Sequence, residues 1–257
     1  MNNPDILHIH LQETESTNTY ARKQPQQSGI LLITTDYQTA GRGQRGNTWE
    51  SERNRNLLFS LVLYPHKLPA IQQFVLCEII SVALCKVLGR YTDGICIKWP
   101  NDIYYHNRKL CGILIEHDIE GAQIIRTIIG VGINANQTLF ISNAPNPISL
   151  NQILGHEIDR KILLTEICNE VTSLLYSYSI IETTKKESIS CKKLKIDSLH
   201  TLYNTLLYRR NIVANYCDTN GTFTATLHEV KSDGRLILKK ENGQLCSYLF
   251  KEITYII

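Results

Sequence analysis

The sequence lacks any Cys-x-x-Cys pair, although it contains eight cysteines. The cysteines also show no regular spacing, so neither a disulfide framework nor a cysteine metal site is indicated. Several of them lie inside apolar runs, where a thiol behaves as a small hydrophobic side chain. We therefore interpret the cysteines as reduced, predict no metal site held by protein side chains, and expect a cytoplasmic protein.

Strong charge of one sign is absent as well. The 257 residues include 27 Lys and Arg against 24 Asp and Glu, for a net charge of +3. Nucleic-acid binding normally requires a clustered basic face, so we expect no nucleic-acid partner. The start of the chain lacks the basic-then-apolar layout of a secretory signal. We also predict that no apolar run reaches membrane-spanning length, so we expect no membrane association.

The order of apolar runs and turn signals predicts two parts. With 43% hydrophobic residues the chain can form a real core. Strand patterns separated by turn residues fill much of residues 6–134, and one apolar stretch, Leu68 to Arg90, has helical spacing. Two helices are predicted between 148 and 210, joined by a polar linker near Lys185 to Lys193. Short strands punctuated by "TNG", "SDG" and "ENG" follow, so we place a domain boundary near Arg210, giving domains 1–210 and 211–257.

A Gly-x-Gly-x-x-Gly stretch occurs at Gly41, Gly43 and Gly46. A dinucleotide-binding fingerprint would require a helix at the third glycine and an acidic residue about 20 positions later. Neither follows here, because the chain continues as "NTWESERNRN" and then as the apolar run "LLFSLVLYP". We interpret the stretch as a long polar loop between two strands.

The residues of this loop suit an anionic ligand. Arg42 and Arg45 can form forked hydrogen bonds with carboxylate or phosphate oxygens, and the glycines free the backbone. The alternative is a surface loop with solvated arginines. Trp49 favours the binding interpretation, since a tryptophan in a polar loop can close over a flat ring, although it can equally dock on the core.

A second polar cluster occurs in "KWPNDIYYHNRKLCGILIE". Lys98, Asn101, Asp102 and Lys109 come from a strand end and the neighbouring hairpin, so they can converge. The alternative is an ordinary Pro-Asn-Asp turn with surface lysines. Only the combination of the four residues favours a site.

Five segments in order resemble the biotin protein ligases: "TESTNTYA", "TDYQTAGRGQRGNTWES", "KWPNDIY", "RKLCGILIE" and "IGVGINAN". The resemblance covers about Thr14 to Leu150 closely. It implies an α+β fold, with a central mixed, largely antiparallel sheet packed with helices as in class II synthetases, and a C-terminal SH3-like barrel. The implied reaction uses ATP and Mg²⁺ to adenylate biotin, which is then passed to one lysine of the biotin carrier domain of a carboxylase.

The resemblance also implies residue roles. Catalytic roles fall on Lys109, Arg42, Asp102 and Lys98. We assign Asp102 to the transfer step on chemical grounds, because the carrier lysine is protonated at neutral pH and must lose a proton before it attacks the mixed anhydride. Biotin or ATP binding falls on Ser16, Thr17, Asn18, Gln38, Gly41, Arg42, Arg45, Trp49, Lys109, Gly112 and Asn134. Among these, Ser16, Thr17 and Gln38 match positions that hydrogen-bond the ureido ring of biotin, whereas Trp49 and Asn134 match adenine contacts. From the residue type alone, we interpret Gly112 and Gly132 as permitting close backbone approach to the ligand, although a glycine in a strand can also mark a bulge.

Some features depart from the resemblance or leave alternatives open. Gln44 and Asn47 stand where many relatives have arginines, so the loop has fewer cationic contacts. A lipoate or octanoate attachment enzyme shares the fold, but "KWPND" with "GRGQRG" favours biotin. The ligase pattern begins almost at residue 1, so we expect a monofunctional form without a DNA-binding domain; a homodimer stays possible. A non-catalytic biotin-binding module would not need Lys98, Asp102 and Lys109 together.

Overall fold

The computed structural model describes residues 6–26, 29–142, 146–181 and 189–257, without the side chains of residues 45 and 189–195. The strands are β1 Ile6–Leu11, β2 Ile30–Thr35, β3 Leu57–Leu63, β4 Leu68–Pro69, β5 Ile95–Lys98, β6 Asp102–Tyr105, β7 Arg108–Glu120, β8 Gln123–Ile133, β9 Val213–Asp218, β10 Gly221–Val230, β11 Leu236–Lys240, β12 Leu245–Tyr248 and β13 Thr254–Tyr255. The α-helices are α1 Thr17–Arg22, α2 Phe74–Leu88, α3 Leu150–Leu154, α4 Arg160–Ser177 and α5 Ile189–Thr205.

The first sheet has eight strands in the order β1-β2-β3-β8-β7-β6-β5, with β4 paired to β8. Strand β1 runs parallel to β2, and the other neighbours are antiparallel. The predicted α+β class with a central mixed, largely antiparallel sheet is therefore confirmed. The loop from 36 to 56 connects β2 to β3, as predicted, and contains one short 3₁₀ turn at Gln44–Gly46.

The register of the central strands places glycines side by side. Gly112 on β7 pairs with Gly132 on β8, and Gly130 on β8 pairs with Ser60 on β3. Because successive side chains of a strand point to opposite faces, Gly130 and Gly132 open the same face of the sheet. This face carries the cavity described below.

Helix α2 packs on the first sheet and is buried along nearly its whole length. The apolar segment Ala70–Leu88 is long and apolar enough to cross a membrane by composition, so the prediction that no run reaches that length was wrong. About 72% of the segment's most apolar window is buried inside the protein. The segment is therefore apolar because it packs in the hydrophobic core of the protein.

The region between the two sheets is helical, with one difference from prediction. Helix α5 begins at Ile189, so residues 189–193 are helical where a polar linker was expected. The rest of the predicted linker, residues 185–188, lies outside the described residues. The short helix α3 was not predicted, although Ser149 and Gln152 form a capping box at its start, a signal readable as Ser-x-x-Gln.

The second sheet has five antiparallel strands in the order β12-β11-β10-β9-β13. The three predicted turns connect β9 to β10, β10 to β11 and β11 to β12. The described residues give no pairing between the outer strands β12 and β13, so the sheet is open along this path. The C-terminal strand β13 and the turn before it lie against the first sheet at the cavity.

Candidate active site

A cavity of about 800 Å³ lies on the glycine-bearing face of the first sheet. Its walls come from α1, the glycine loop, the β5–β6 turn, strands β7 and β8, and the C-terminal segment 250–257. Of the predicted site residues it is lined by Ser16, Thr17, Asn18, Gln38, Arg42, Trp49, Lys98, Asp102, Lys109 and Gly112. Most of the residues singled out by the sequence therefore converge on one space.

One wall of the cavity is a buried hydrogen-bonded group at the start of α1. The backbone N–H of Thr17 donates to Oε1 of Gln38 at 2.8 Å, and the Thr17 hydroxyl contacts the same oxygen at 3.2 Å. Ser60 Oγ lies 2.7 Å from both Thr17 Oγ1 and Asn18 Oδ1. A Cβ at Gly130 would lie 2.3 Å from Asn18 Oδ1, so this close packing requires glycine. The group is a rigid set of hydroxyls and amides.

Ser16 precedes α1 as its N-cap residue and is buried. Its side chain makes no capping hydrogen bond, so capping does not account for this serine. Ser16 lines the cavity, and its hydroxyl is of a type that can hydrogen-bond a polar ligand.

Another part of the cavity lining is an ion pair. Lys109 Nζ on β7 lies 2.8 Å from Asp102 Oδ1 on β6. Both side chains are largely shielded from solvent, with exposed fractions of 24% and 16%. The predicted proximity of these two residues is confirmed, and the pair can rearrange when an anionic ligand competes for Lys109.

Lys98 is a second lysine of the cavity lining. It directly precedes the β5–β6 turn and pairs in register with Asp102. The pKa of the Lys98 amine lies below its ordinary value, mainly because the amine is buried. The nearby Asp102 carboxylate opposes this shift, whereas the charges of Lys109 and Arg209 add to it. A cation in such a shielded position exerts a stronger field on a ligand than one in open water.

Trp49 lies flat on the two paired glycines. A Cβ at Gly132 would lie 2.4 Å from its Cε2 atom, and a Cβ at Gly112 would lie 2.8 Å from its Cζ3 atom. The two glycines, predicted to permit close approach of a ligand, therefore accommodate the Trp49 ring in this structure. Lys109 Nζ lies 5.8 Å from the ring centroid. The indole N–H is buried and has no hydrogen-bond partner among the described residues.

Hydrogen bonds of Gly41 and of Glu50, the residue after Trp49, fix the backbone around Trp49. The Trp49 N–H donates to the Gly41 carbonyl at 2.9 Å, and a Cβ at Gly41 would lie 2.4 Å from the Trp49 carbonyl oxygen. Glu50 accepts hydrogen bonds from the N–H groups of Ile141 and Ser142 at 3.0 and 2.9 Å. Burial opposes ionisation of Glu50, but these bonds, with those from the Ser142 and Gln137 side chains, lower its pKa below the ordinary value. Sequence reasoning assigned no role to Glu50.

Arg42 forms an ion pair that was not predicted. Its Nη2 lies 3.1 Å from Oε2 of Glu116 on β7. The same carboxylate accepts a 2.8 Å hydrogen bond from Asn18 Nδ2 and lies 3.5 Å from Arg22. Glu116 is the final residue of the "RKLCGILIE" segment, so the sequence pointed to the segment but not to this contact.

Two predicted binding residues do not line the cavity, and one lies outside the description. Asn134 is buried, and its amide donates to the carbonyls of Lys109 and Ile148 at 3.3 and 3.1 Å. It thus fixes the backbone that carries Lys109, and its adenine contact stays a prediction. Gly41 acts through its backbone, as described above. The Arg45 side chain is not among those described.

Comparisons with known proteins agree with this geometry. Residues 10–134 match the Biotin/lipoate A/B protein ligase family. The chain is 34% identical over 170 residues to the bifunctional ligase/repressor BirA of Bacillus subtilis, a match covering 63% of this chain and 50% of the relative. It is 31% identical over 163 residues to the biotin--[acetyl-CoA-carboxylase] ligase of Paracoccus denitrificans, covering 58% of this chain and 65% of the relative.

A solved structure extends the likeness to nearly the whole fold. The biotin protein ligase from Aquifex aeolicus in complex with biotin and ATP superimposes with a TM-score of 0.75 over 96% of this chain and 97% of that chain, at 22% identity. The match to the Biotin/lipoate A/B protein ligase family covers residues 10–134, just under half of the chain. Of the two curated relatives reported above, the protein from Paracoccus denitrificans carries the name of a biotin ligase. This chain spans between half and two thirds of the length of those two curated relatives.

Proposed function

We propose that the protein activates biotin as biotinyl-5′-AMP and transfers it to a lysine of the biotin carrier domain of a carboxylase. The observation that carries this proposal is that one cavity brings together the cations Arg42, Lys98 and Lys109, the Asp102 carboxylate and the Trp49 ring, with Lys251 of the C-terminal segment as a further cation in its lining. The names of the Paracoccus denitrificans and Aquifex aeolicus proteins, a biotin--[acetyl-CoA-carboxylase] ligase and a biotin protein ligase, support the choice of substrate.

The cations serve the first step. A carboxylate oxygen of biotin attacks the α-phosphorus of ATP, the bond to the bridging oxygen breaks, and pyrophosphate leaves. Two unit negative charges about 4 Å apart repel by about 4 kcal/mol at an effective dielectric constant near 20. Lys109 and Arg42 offset this repulsion when they exchange their carboxylate partners for ligand oxygens, and Lys98 adds positive potential.

Mg²⁺ enters in this proposal with the nucleotide. Among the described residues no group of three or more His, Cys, Asp or Glu side chains could hold a metal ion. Asp102 carries the one side-chain carboxylate among the described residues that line the cavity. This fits a metal that is bound mainly by substrate phosphates, since Mg²⁺ in such sites needs only one or two protein carboxylates.

The group at the start of α1 suits the ureido ring of biotin. That ring has one carbonyl and two N–H groups, which match hydroxyl and amide side chains such as Ser16, Thr17 and Gln38. A lipoyl or octanoyl chain offers no equivalent hydrogen-bonding head. The cavity therefore favours biotin over these alternatives.

The proposal is tested by incubating the protein with ATP, Mg²⁺, a biotin carrier domain, and either biotin or lipoate. We expect the carrier to gain the mass of one biotinyl group only with biotin. Labelling with lipoate but not biotin would replace this function by lipoate attachment, and no labelling with either would contradict the proposal.

Asp102 is assigned to the transfer step. The ε-amine of the carrier lysine attacks the carbonyl carbon of the mixed anhydride, AMP leaves, and the amine gives up a proton, for which a nearby carboxylate is suited. Supplied with preformed biotinyl-adenylate, an Asp102→Asn protein should bind it yet transfer biotin slowly at neutral pH, with a smaller defect at higher pH. Asp118→Asn, at a carboxylate outside the cavity, is the matched control. Normal transfer by Asp102→Asn would remove this assignment.

The proposal also includes a C-terminal barrel, a domain boundary, a cellular location and a set of partners. The second sheet, β9 to β13, corresponds in it to an SH3-like barrel, with a boundary near Arg210 dividing 1–210 from 211–257. The separation of the strands into two sheets supports this division. The protein acts in the cytoplasm in this proposal, with the carrier domain rather than nucleic acid or membrane as its partner, as a monomer or a homodimer.

A further inference from the structure

The Lys98 ammonium lies between two tyrosine rings. Its Nζ atom is 5.1 Å from the centroid of Tyr104 on β6 and 5.0 Å from that of Tyr255 on β13. A cation within about 6 Å of an aromatic centroid is attracted by the electron-rich ring face. One ring belongs to the first sheet and the other to the second sheet. The two sheets thus meet at a cavity-lining cation.

The Tyr255 ring is itself held in place. Tyr255 is buried, and its centroid lies 5.2 Å from that of Tyr216 and 6.2 Å from that of Tyr208. Tyr208 also lies 5.6 Å from Tyr104, which connects the two rings that flank Lys98. The Tyr255 hydroxyl has no hydrogen-bond partner among the described residues. The ring, and not the hydroxyl, therefore makes the contact.

The residue after Lys98 is also fixed by the second sheet. Trp99 Nε1 donates to the carbonyl of Gly234 in the β10–β11 turn at 2.9 Å. The Trp99 ring makes an edge contact with Phe250, with centroids 6.2 Å apart. The second sheet thus contacts this strand end at Lys98 and at Trp99.

The two tyrosine rings hold the Lys98 ammonium without adding a further negative charge beside it. The carboxylate near Lys98 is that of Asp102, its register partner on β6, but Asp102 Oδ1 lies 2.8 Å from Lys109 Nζ and pairs with that lysine. Ring faces favour the charged form of the amine and add no anion to the cavity. Lys109 shows the contrasting arrangement, since it forms an ion pair with Asp102 that an incoming ligand has to displace.

We propose that Tyr255 is a positioning residue, whose ring holds the Lys98 ammonium in place to face the nucleotide phosphates. This inference rests on the proposed function. It assigns to the C-terminal strand a specific part in adenylation: Tyr255 acts through Lys98 and makes no contact with the reacting atoms.

The test compares Tyr255→Leu with Tyr255→Phe in biotin-dependent pyrophosphate release. Loss of the ring should lower kcat about 3- to 30-fold, the range of a partly shielded cation–ring contact, while the KM for biotin changes less than about twofold. Phenylalanine should restore the wild-type kcat, because the hydroxyl is not used. The matched control is Phe223→Leu, which removes a similar contact in the same sheet, where Lys240 Nζ lies 4.8 Å from the ring centroid outside the cavity.

A double-mutant cycle separates positioning from general loosening of the second sheet. In a Lys98→Met background, Tyr255→Leu should cause no further loss of kcat, because its effect passes through Lys98. Additive losses, an equal loss in Phe223→Leu, or failure of Tyr255→Phe to restore the rate would overturn the proposal.

The outcome for the wild-type protein distinguishes this inference from the function on which it rests. An active wild type with an unaffected Tyr255→Leu variant would contradict the positioning role alone. A folded wild type that releases no pyrophosphate with biotin would contradict the proposed function and the positioning role together.

Discussion

Replacing Gly132 with alanine should lift Trp49 off the sheet and open the glycine loop. The added Cβ would lie 2.4, 2.6 and 2.8 Å from three atoms of the indole ring. Carbon atoms in contact are normally about 3.5–4.0 Å apart, so the ring has to retreat by roughly 1 Å. Gly132 does not have a left-handed backbone conformation, so alanine is otherwise tolerated there.

The size of the effect follows from the packing of the ring. A tryptophan side chain that buries about 100 Å² of apolar surface gains about 2.5 kcal/mol at about 25 cal/mol per Å². A gap of about 1 Å forfeits up to about half of the contact energy, or roughly 1 kcal/mol. The population of undocked loop, and with it the rate of limited trypsin cleavage within residues 41–56, should then rise about fivefold.

Two further variants check this reasoning. Gly112→Ala should raise the cleavage rate less, because its closest ring contacts would be 2.8 and 3.2 Å. In a Trp49→Ala background, Gly132→Ala should have no further effect. An unchanged cleavage rate in Gly132→Ala, or an equal increase with and without the tryptophan, would refute the account of how the loop is anchored.

Three other changes have defined outcomes. Lys109→Ala should lower biotin-dependent pyrophosphate release by about 100-fold or more while the protein stays folded, and a normal rate would remove Lys109 from the catalytic residues. Glu116→Gln should free Arg42 and lower the KM for biotin by at most about fivefold, the limit for an exposed ion pair; a higher KM would show that Glu116 positions Arg42 for binding. The pKa of Glu50 is lowered in the folded loop, so its contribution is present above the ordinary value of 4.5 and is lost as the pH falls through the folded value. Glu50→Gln should therefore increase hydrogen exchange over residues 41–56 at pH 7 but match the wild type in acid, and a difference that persists in acid would contradict the role of its charge.

The sequence predicted the elements and much of the cavity because both depend on local patterns. Turn signals such as "TNG" and "SDG" separate the strands where the structure does, and residues predicted to converge, such as Lys98, Asp102 and Lys109, line one space. Local patterns failed at residues 189–193, which belong to helix α5 although a polar linker was predicted there. Composition alone did not distinguish a solvated linker from the start of a helix.

Contacts between distant segments could not be predicted, because they depend on register and on the packing of the two sheets. Trp49 rests on Gly112 and Gly132 only because β7 and β8 pair those glycines. Glu116 meets Arg42 across 74 positions of sequence. Tyr255 reaches Lys98 only where strand β13 of the second sheet comes to lie against the first sheet.

The central claim, that this cavity joins the carboxylate of biotin to the α-phosphate of ATP, is tested most directly by exchange of labelled pyrophosphate into ATP without a carrier protein. The account predicts exchange that requires biotin, is not supported by lipoate or octanoate, and is strongly reduced in Lys109→Ala. Exchange that proceeds without biotin, or no exchange by the folded wild-type protein with biotin, ATP and Mg²⁺, would contradict it.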